Sequence, residues 1–258
     1  MPSILFEIKN NIAFITLNRP EKFNSFNREM ALLLQVKLDE CASLHEVRCV
    51  YITGAGKAFS AGQDISELVG DNRIEIKQIL SEHYNPIVKR IRNLAKPVVA
   101  AINGVAAGAG ANIALCCDVV VASEAAAFIQ AFSKIGLIPD SGGTFTLPRL
   151  VGWQKASALM MTGDKVSATD AEKMGMIYKV FSSDTFEEES KKIATTLANM
   201  PTKGLAYTKH ALNHSFTNSW EEQLLLEDVY QQKAALTYDY NEGINSFLEK
   251  RNPLFKGE

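Results

Sequence analysis

A chain of 258 residues with 47% hydrophobic content is long enough to bury roughly three quarters of its unfolded surface, so it needs no disulfide or metal staples. Its 27 basic and 29 acidic residues leave a formal net charge of -2. That balance supplies neither the basic field of a nucleic-acid binder nor an acidic interaction tail. The four cysteines, Cys41, Cys49, Cys116 and Cys117, form no Cys-x-x-Cys pair, and two of them adjoin within an apolar stretch. They read as buried thiols of a reducing compartment. The start of the chain lacks a basic region followed by a long apolar run. The longest apolar stretch, 98–121, is broken by Asn103, small turn residues and Asp118, so no membrane span is expected. The expected compartment is cytoplasmic.

Alternating apolar residues in Ile4–Lys9 and Ile12–Leu17, around Asn10-Asn11, predict a β-hairpin. Asn27 is placed to cap a helix running to about Ser43, with Met30, Leu33, Leu34 and Leu38 near helical spacing. Residues 47–53 read as a buried strand and 54–71 as a long loop of the kind that carries function. The span 73–94 reads as helix, kinked at Pro86. Residues 97–102 form an apolar strand, followed by a short buried helix near 109–117 and short strands at 119–122 and 127–129. From Trp153 onward the pattern is helical, with stops at Gly163, Gly175 and Pro201 and one strand at 177–181. This alternation predicts an α/β core over 1–200 and a helical C-terminal region over 201–258.

Three segments carry the chemistry: Phe59-Ser-Ala-Gly-Gln-Asp64, Asn103-Gly-Val-Ala-Ala-Gly-Ala-Gly110 and Gly136-Leu-Ile-Pro-Asp-Ser-Gly-Gly143. Small residues at the ends of strands let a ligand approach the backbone and leave N–H groups pointing at it. Two such groups aimed at one carbonyl oxygen make an oxyanion hole. The third segment brings a single acid, Asp140, beside Leu137, Ile138, Pro139 and Phe145. A carboxylate among apolar neighbours suits proton transfer, although Pro-Asp-Ser-Gly is also good turn chemistry. His210 and His214 lie one helical turn apart with no third ligand nearby in sequence. They read as ordinary helix residues, and no metal site is expected.

In this order and spacing the three segments resemble the crotonase (enoyl-CoA hydratase/isomerase) superfamily. The resemblance runs from Ile4 to Phe255 and includes Leu17-Asn-Arg-Pro20, Lys22-Phe-Asn-Ser25 and Phe247-Leu-Glu-Lys-Arg251. Residues 131–143 are most similar to the ring-epoxide isomerases of bacterial phenylacetate degradation. The resemblance implies a ββα spiral core, with C-terminal helices packing at subunit contacts in a homotrimer or hexamer. It implies an oxyanion hole from the backbone N–H groups of Gln63 and Ala109, and Asp140 as general base and acid. It places Lys22, Lys57 and Lys250 at CoA phosphates, the last from a neighbouring subunit. Asn24 and the backbone of Ala61, Asp64 and Ile65 fall on the CoA-binding segments.

Superfamily hydratases carry two glutamates; the matching positions here are Asn112 and Phe132, both expected in the substrate pocket. Superfamily dehalogenases carry a helping His and Trp; the matching positions are Asn85 and Phe132. The resemblance therefore implies a CoA-thioester isomerase with one proton shuttle, CoA being part of the substrate and no separate cofactor being required. The alternatives are an enoyl-CoA hydratase of fatty-acid β-oxidation, with water handled by Asp140 alone, and a non-catalytic CoA- or RNA-binding scaffold.

Overall fold

The structure is a computed structural model and describes residues 2–71 and 73–258. Strands β1 (Ile4–Lys9) and β2 (Ile12–Leu17) pair antiparallel. Asn10 and Asn11 turn between them at φ 52° and 62°, a conformation asparagine tolerates better than most residues. The Asn27 side chain accepts from the Met30 amide at 3.0 Å and starts α1 (Arg28–Ser43), which buries Met30, Leu34, Leu38 and Cys41.

Three strand pairs follow: β3 (Cys49–Gly54) with β4 (Ala58–Ser60), β5 (Val98–Ile102) with β6 (Val105–Ala107), and β7 (Val119–Ser123) with β8 (Ala127–Ile129). The first member of each pair joins one sheet and the second joins another. A six-stranded sheet has the order β1-β2-β3-β5-β7-β10, and a four-stranded sheet the order β4-β6-β8-β9. Here β9 is Lys165–Ser167 and β10 is Lys179–Phe181. Neighbours from successive pairs run parallel in both sheets, so each step requires a crossover. The chain thus winds as a ββα spiral. The central strand β5 is buried along its whole length, as expected of a parallel strand covered on both faces.

Helices fill the crossovers. Between β4 and β5 lie α2 (Ile76–Gln78), a π-helical turn at Ile79–Tyr84 and α3 (Asn85–Asn93). The π turn has a local cause. Pro86 has no N–H, so the Glu82 carbonyl four residues earlier lacks a helical donor. Gln35 on α1 supplies one, its Nε2 donating to Glu82 O at 2.7 Å. The preceding amide, that of Asn85, reaches back five residues to Leu80. The wider turn carries Tyr84 inward, where it is 1% exposed. The predicted helix over 73–94 therefore begins at Ile76 and is deformed, not merely kinked.

The remaining helices are α4 (Ala109–Leu115), α5 (Gly143–Val151), α6 (Trp153–Thr162), α7 (Ala168–Lys173), α8 (Phe186–Ala198), α9 (Thr202–His214), α10 (Trp220–Ala235) and α11 (Tyr238–Leu248). Helix α9 is tied to the core by Lys209. Its buried Nζ donates to Ile91 O at 2.7 Å, to Lys96 O at 3.2 Å and to Asp118 Oδ2 at 2.8 Å. By contrast α10 buries none of its residues, and Leu212, Trp220, Leu224, Leu225 and Phe247 are exposed. All four cysteines are free and buried; burial pushes each thiol up, Cys41 to about 12.

Strands β4, β6 and β9, each three residues long, are not among the expected strands, whereas the equally short β8 is. The loop expected over 54–71 holds β4 and a 3-10 turn at Ile65–Leu68. Among the described residues no helix is long and apolar enough to cross a membrane.

Candidate active site

Strand β4 delivers the chain to Ala61-Gly62-Gln63, where it bridges to Phe26. The Phe26 amide donates to Gly62 O at 2.7 Å and the Asp64 amide donates to Phe26 O at 2.8 Å. These two bonds occupy one side of the segment. The intervening Gln63 N–H faces the other side and has no protein acceptor among the described residues. Strand β6 delivers the second donor. Gly108 turns at φ 51°, ψ -128° into α4, so Ala109 opens the helix with an amide that has no partner in the preceding turn. The two segments touch. A Cβ on Gly62 would lie 2.8 Å from Ala107 O and 3.4 Å from Ala109 N, and the Gly62 φ is 89°. Only glycine permits that approach.

Gln63 and Ala109 open onto a cavity of about 570 Å³, walled by apolar side chains such as Leu68, Ile79, Leu80, Phe132 and Leu137. Asp140 lines the same cavity and is the only acidic residue among those lining it. It stands between the 3-10 turn Ala131–Ile135 and α5. Burial raises its pKa above the ordinary aspartate value, while a hydrogen bond from Ser141 Oγ to Oδ1 at 2.8 Å opposes the rise. A carboxyl in such a setting takes and returns protons more readily near neutral pH than an exposed aspartate does.

Tyr84, absent from the sequence reading, also lines the cavity. Its hydroxyl donates to Gln63 Oε1 at 2.6 Å, and Gln63 Nε2 donates to Glu67 Oε2 at 3.0 Å. Glu67 Oε1 in turn accepts from the Arg28 amide at 2.9 Å. This chain of bonds pins the Gln63 side chain and so steadies the peptide at this edge of the cavity. The one local signal was Pro86, whose effect on the helix aims Tyr84 inward.

The other expected residues divide into groups. Phe132 lines the cavity, its Cζ 3.9 Å from where a Cβ on Gly108 would stand. Asn112 does not line it; the residue is 1% exposed and bonds to the Asp140 carbonyl. Ala61 and Ile65 are exposed at the cavity mouth. Asn24 is fully buried, its Nδ2 donating to Ala55 O and Ala58 O at 2.9 and 2.7 Å. The Asp64 carboxylate accepts from Arg19 at 2.8 Å and from Ser66 Oγ at 2.6 Å. Burial pushes that acid upward, but those bonds outweigh it and leave it below its ordinary range. Both side chains are thus occupied in holding their loops. Lys22, Lys57 and Lys250 are exposed and outside the cavity lining. The turn before Lys22 rests against the one before Lys57: a Cβ on Gly56 would lie 3.1 Å from Pro20 Cβ. Lys250 stands apart, beyond the end of α11.

Two residues whose amides have no hydrogen-bond acceptor among the described residues line one mostly apolar cavity with a single carboxyl, a set of groups that suits stabilising a carbonyl-derived anion next to a proton acceptor. Known proteins match the chain along nearly its whole length. The profile of the enoyl-CoA hydratase/isomerase family matches residues 7–258. The chain is 43% identical to the 1,2-epoxyphenylacetyl-CoA isomerase of Escherichia coli (strain K12), covering 100% of both proteins. It is 40% identical to a Rhodobacter capsulatus protein named "Probable enoyl-CoA hydratase", covering 99% of this chain and 98% of that one. The crystal structure of an enoyl-CoA hydratase from Bacillus anthracis superposes with a TM-score of 0.92 at 32% identity, over 99% of this chain and 100% of that one. With a full-length match in sequence and in fold, this chain belongs to the enoyl-CoA hydratase/isomerase, or crotonase, family.

Proposed function

We propose that the protein is a CoA-thioester isomerase in which Asp140 carries a proton from one carbon of the acyl group to another. The observation that supports this best is that Asp140 is the only carboxyl among the residues lining a mostly apolar cavity. Addition of water needs one group to activate the water and another to manage the α-proton, and Phe132 can do neither. In the proposed reaction the thioester oxygen lies between the Gln63 and Ala109 amides. Asp140 removes a proton, and the C–H electron pair moves onto the thioester carbonyl, whose oxygen becomes the enolate. The electrons then return, and the protonated Asp140 donates to a different carbon. The result is a shifted double bond, or assisted opening of a strained ring. Each amide donor typically contributes ~2.7–4 kcal/mol to stabilising such an anion. The name of the Escherichia coli relative favours a ring-derived acyl group and a place in phenylacetate catabolism.

CoA is part of the substrate in this reading, and no separate cofactor takes part. Lys22 and Lys57 contact its phosphates together with Lys250 of a neighbouring subunit. Ala61 and Ile65 meet the adenine through their backbone, while Asn24 and Asp64 hold the loops that do so. The assembly is a cytoplasmic homotrimer or hexamer.

The second reading is an enoyl-CoA hydratase, favoured by the name of the Rhodobacter capsulatus relative. One incubation separates the two. A 3-enoyl-CoA and a ring-epoxide CoA thioester are each incubated in water labelled with deuterium and ¹⁸O, and the products are read by mass spectrometry. An isomerase gives a rearranged product without added oxygen and with partial deuterium at the α- or γ-carbon. Fast, stoichiometric ¹⁸O in a 3-hydroxyacyl product would overturn the isomerase reading.

A further inference from the structure

Asn112 is buried, is not among the residues lining the cavity, and yet bonds to the backbone of Asp140. We infer that it is a positioning residue that sets the spacing between the base and the oxyanion hole, with Gln130 as its brace. The inference rests on the reading of Asp140 as the base.

Helix α4 carries both ends of the device. Ala109, its first residue, lines the cavity and is the proposed second amide donor. Asn112 lies one turn later, its own amide closing that turn onto Gly108 O at 3.1 Å. From there Nδ2 donates to Asp140 O at 2.9 Å. The same carbonyl accepts from the Gly143 amide at 2.9 Å, so it is held once by its own turn and once by the helix of the oxyanion hole. Three further features mark the contact as built for this purpose. A Cβ on Gly143 would lie 2.3 Å from Asn112 Nδ2, so glycine is required for the amide to come so near. Ser141 holds φ 52° and Gly142 φ 76°. A serine in that region costs about 1–3 kcal/mol and persists only under outside restraint.

The third feature is the direction of the amide. Gln130 Nε2 donates to Asn112 Oδ1 at 2.8 Å, which leaves Nδ2 as the end facing Asp140. A carboxylate in place of Asn112 would set oxygen against oxygen there. Gln130 Oε1 has no partner, so the bond to Asn112 is the only use the Gln130 amide has among the described residues. The position at which the resemblance puts a hydratase glutamate thus carries a clamp.

The test compares Asn112→Ala, Gln130→Met and the double variant. Turnover of a 3-enoyl-CoA and the Kd of unreactive hexanoyl-CoA are measured for each. A displaced base should lower kcat by about 10- to 100-fold. KM and Kd should stay within about two-fold, the usual error of additivity. Gln130→Met should show a smaller loss of the same kind. Because Gln130 acts through Asn112, the double variant should be no worse than Asn112→Ala. A kcat for Asn112→Ala within about two-fold of the parent, or losses that multiply in the double variant, would overturn the inference. If Asn112→Ala fails to fold, Gln130→Met decides alone, and an unchanged kcat there overturns it. Asp140→Asn is run alongside. If that variant keeps its turnover, the reading of the base fails. If it is inactive while Asn112→Ala is fully active, only the clamp fails.

Discussion

At the scale of single residues the proposed mechanism concentrates on Asp140. Asp140→Asn is nearly isosteric but has no basic oxygen, so turnover should fall by ~10²–10⁴-fold. Binding of an unreactive acyl-CoA, measured by calorimetry, should be retained. The same substitution should not destabilise the fold at neutral pH. Burial raises the folded pKa of Asp140, so its favourable contribution is fully present below the unfolded pKa and is lost as pH rises through the folded one. An amide escapes that loss, and a thermal melt at pH 7 should show the variant as stable as the parent or more so.

Activity has the opposite dependence, because the base must be ionised. The acid limb of kcat against pH should lie above the ordinary aspartate value of about 3.9. The Ser141 hydroxyl favours the ionised form, so Ser141→Ala should move the limb to still higher pH. A limb that stays in place would show that another group governs it.

Among the elements, the segment from α2 through α3 does most to shape the cavity. Its π turn exists because Pro86 withholds a donor and Gln35 on α1 provides one. Gln35→Ala leaves the Glu82 carbonyl unpaired and should cost about 1–3 kcal/mol in urea unfolding. The loss should reach the site as well, since Ile79, Leu80 and Tyr84 belong to the same turn and line the cavity. KM for the acyl-CoA should therefore rise together with the loss of stability. An unfolding curve identical to that of the parent would mean that water replaces the Gln35 donor at no cost.

The whole molecule raises a different question, because its C-terminal helices leave apolar surface uncovered. Trp220, Leu225 and Phe247 are 74%, 68% and 82% exposed, and they share the region with an α10 that buries nothing. Large apolar side chains exposed to this degree on neighbouring C-terminal helices are what a subunit contact would cover. Light scattering at micromolar concentration should therefore give the mass of a trimer or hexamer. Trp220→Glu together with Phe247→Glu should shift it towards the monomer. A monomeric parent would refute the proposed assembly.

Local rules were sufficient for the hairpin of β1 and β2 and for the start of α1. Alternation, an Asn-Asn turn and an asparagine cap each act within a few residues. Gln63, Ala109 and Asp140 line one cavity, and they are singled out only by the family resemblance that the three segments carry together, since Pro-Asp-Ser-Gly alone reads as a turn. Tertiary structure decided the rest. Strands β4, β6 and β9 exist because neighbours pair with them. Tyr84 reaches Gln63 across 21 residues and Asn112 reaches Asp140 across 28. The resemblance puts Asn112 in the pocket, whereas in the folded chain it is absent from the cavity lining and bonds to the Asp140 carbonyl. A side chain's type states which bonds it can make, but its partner is chosen by the spiral that brings distant segments within 3 Å of each other.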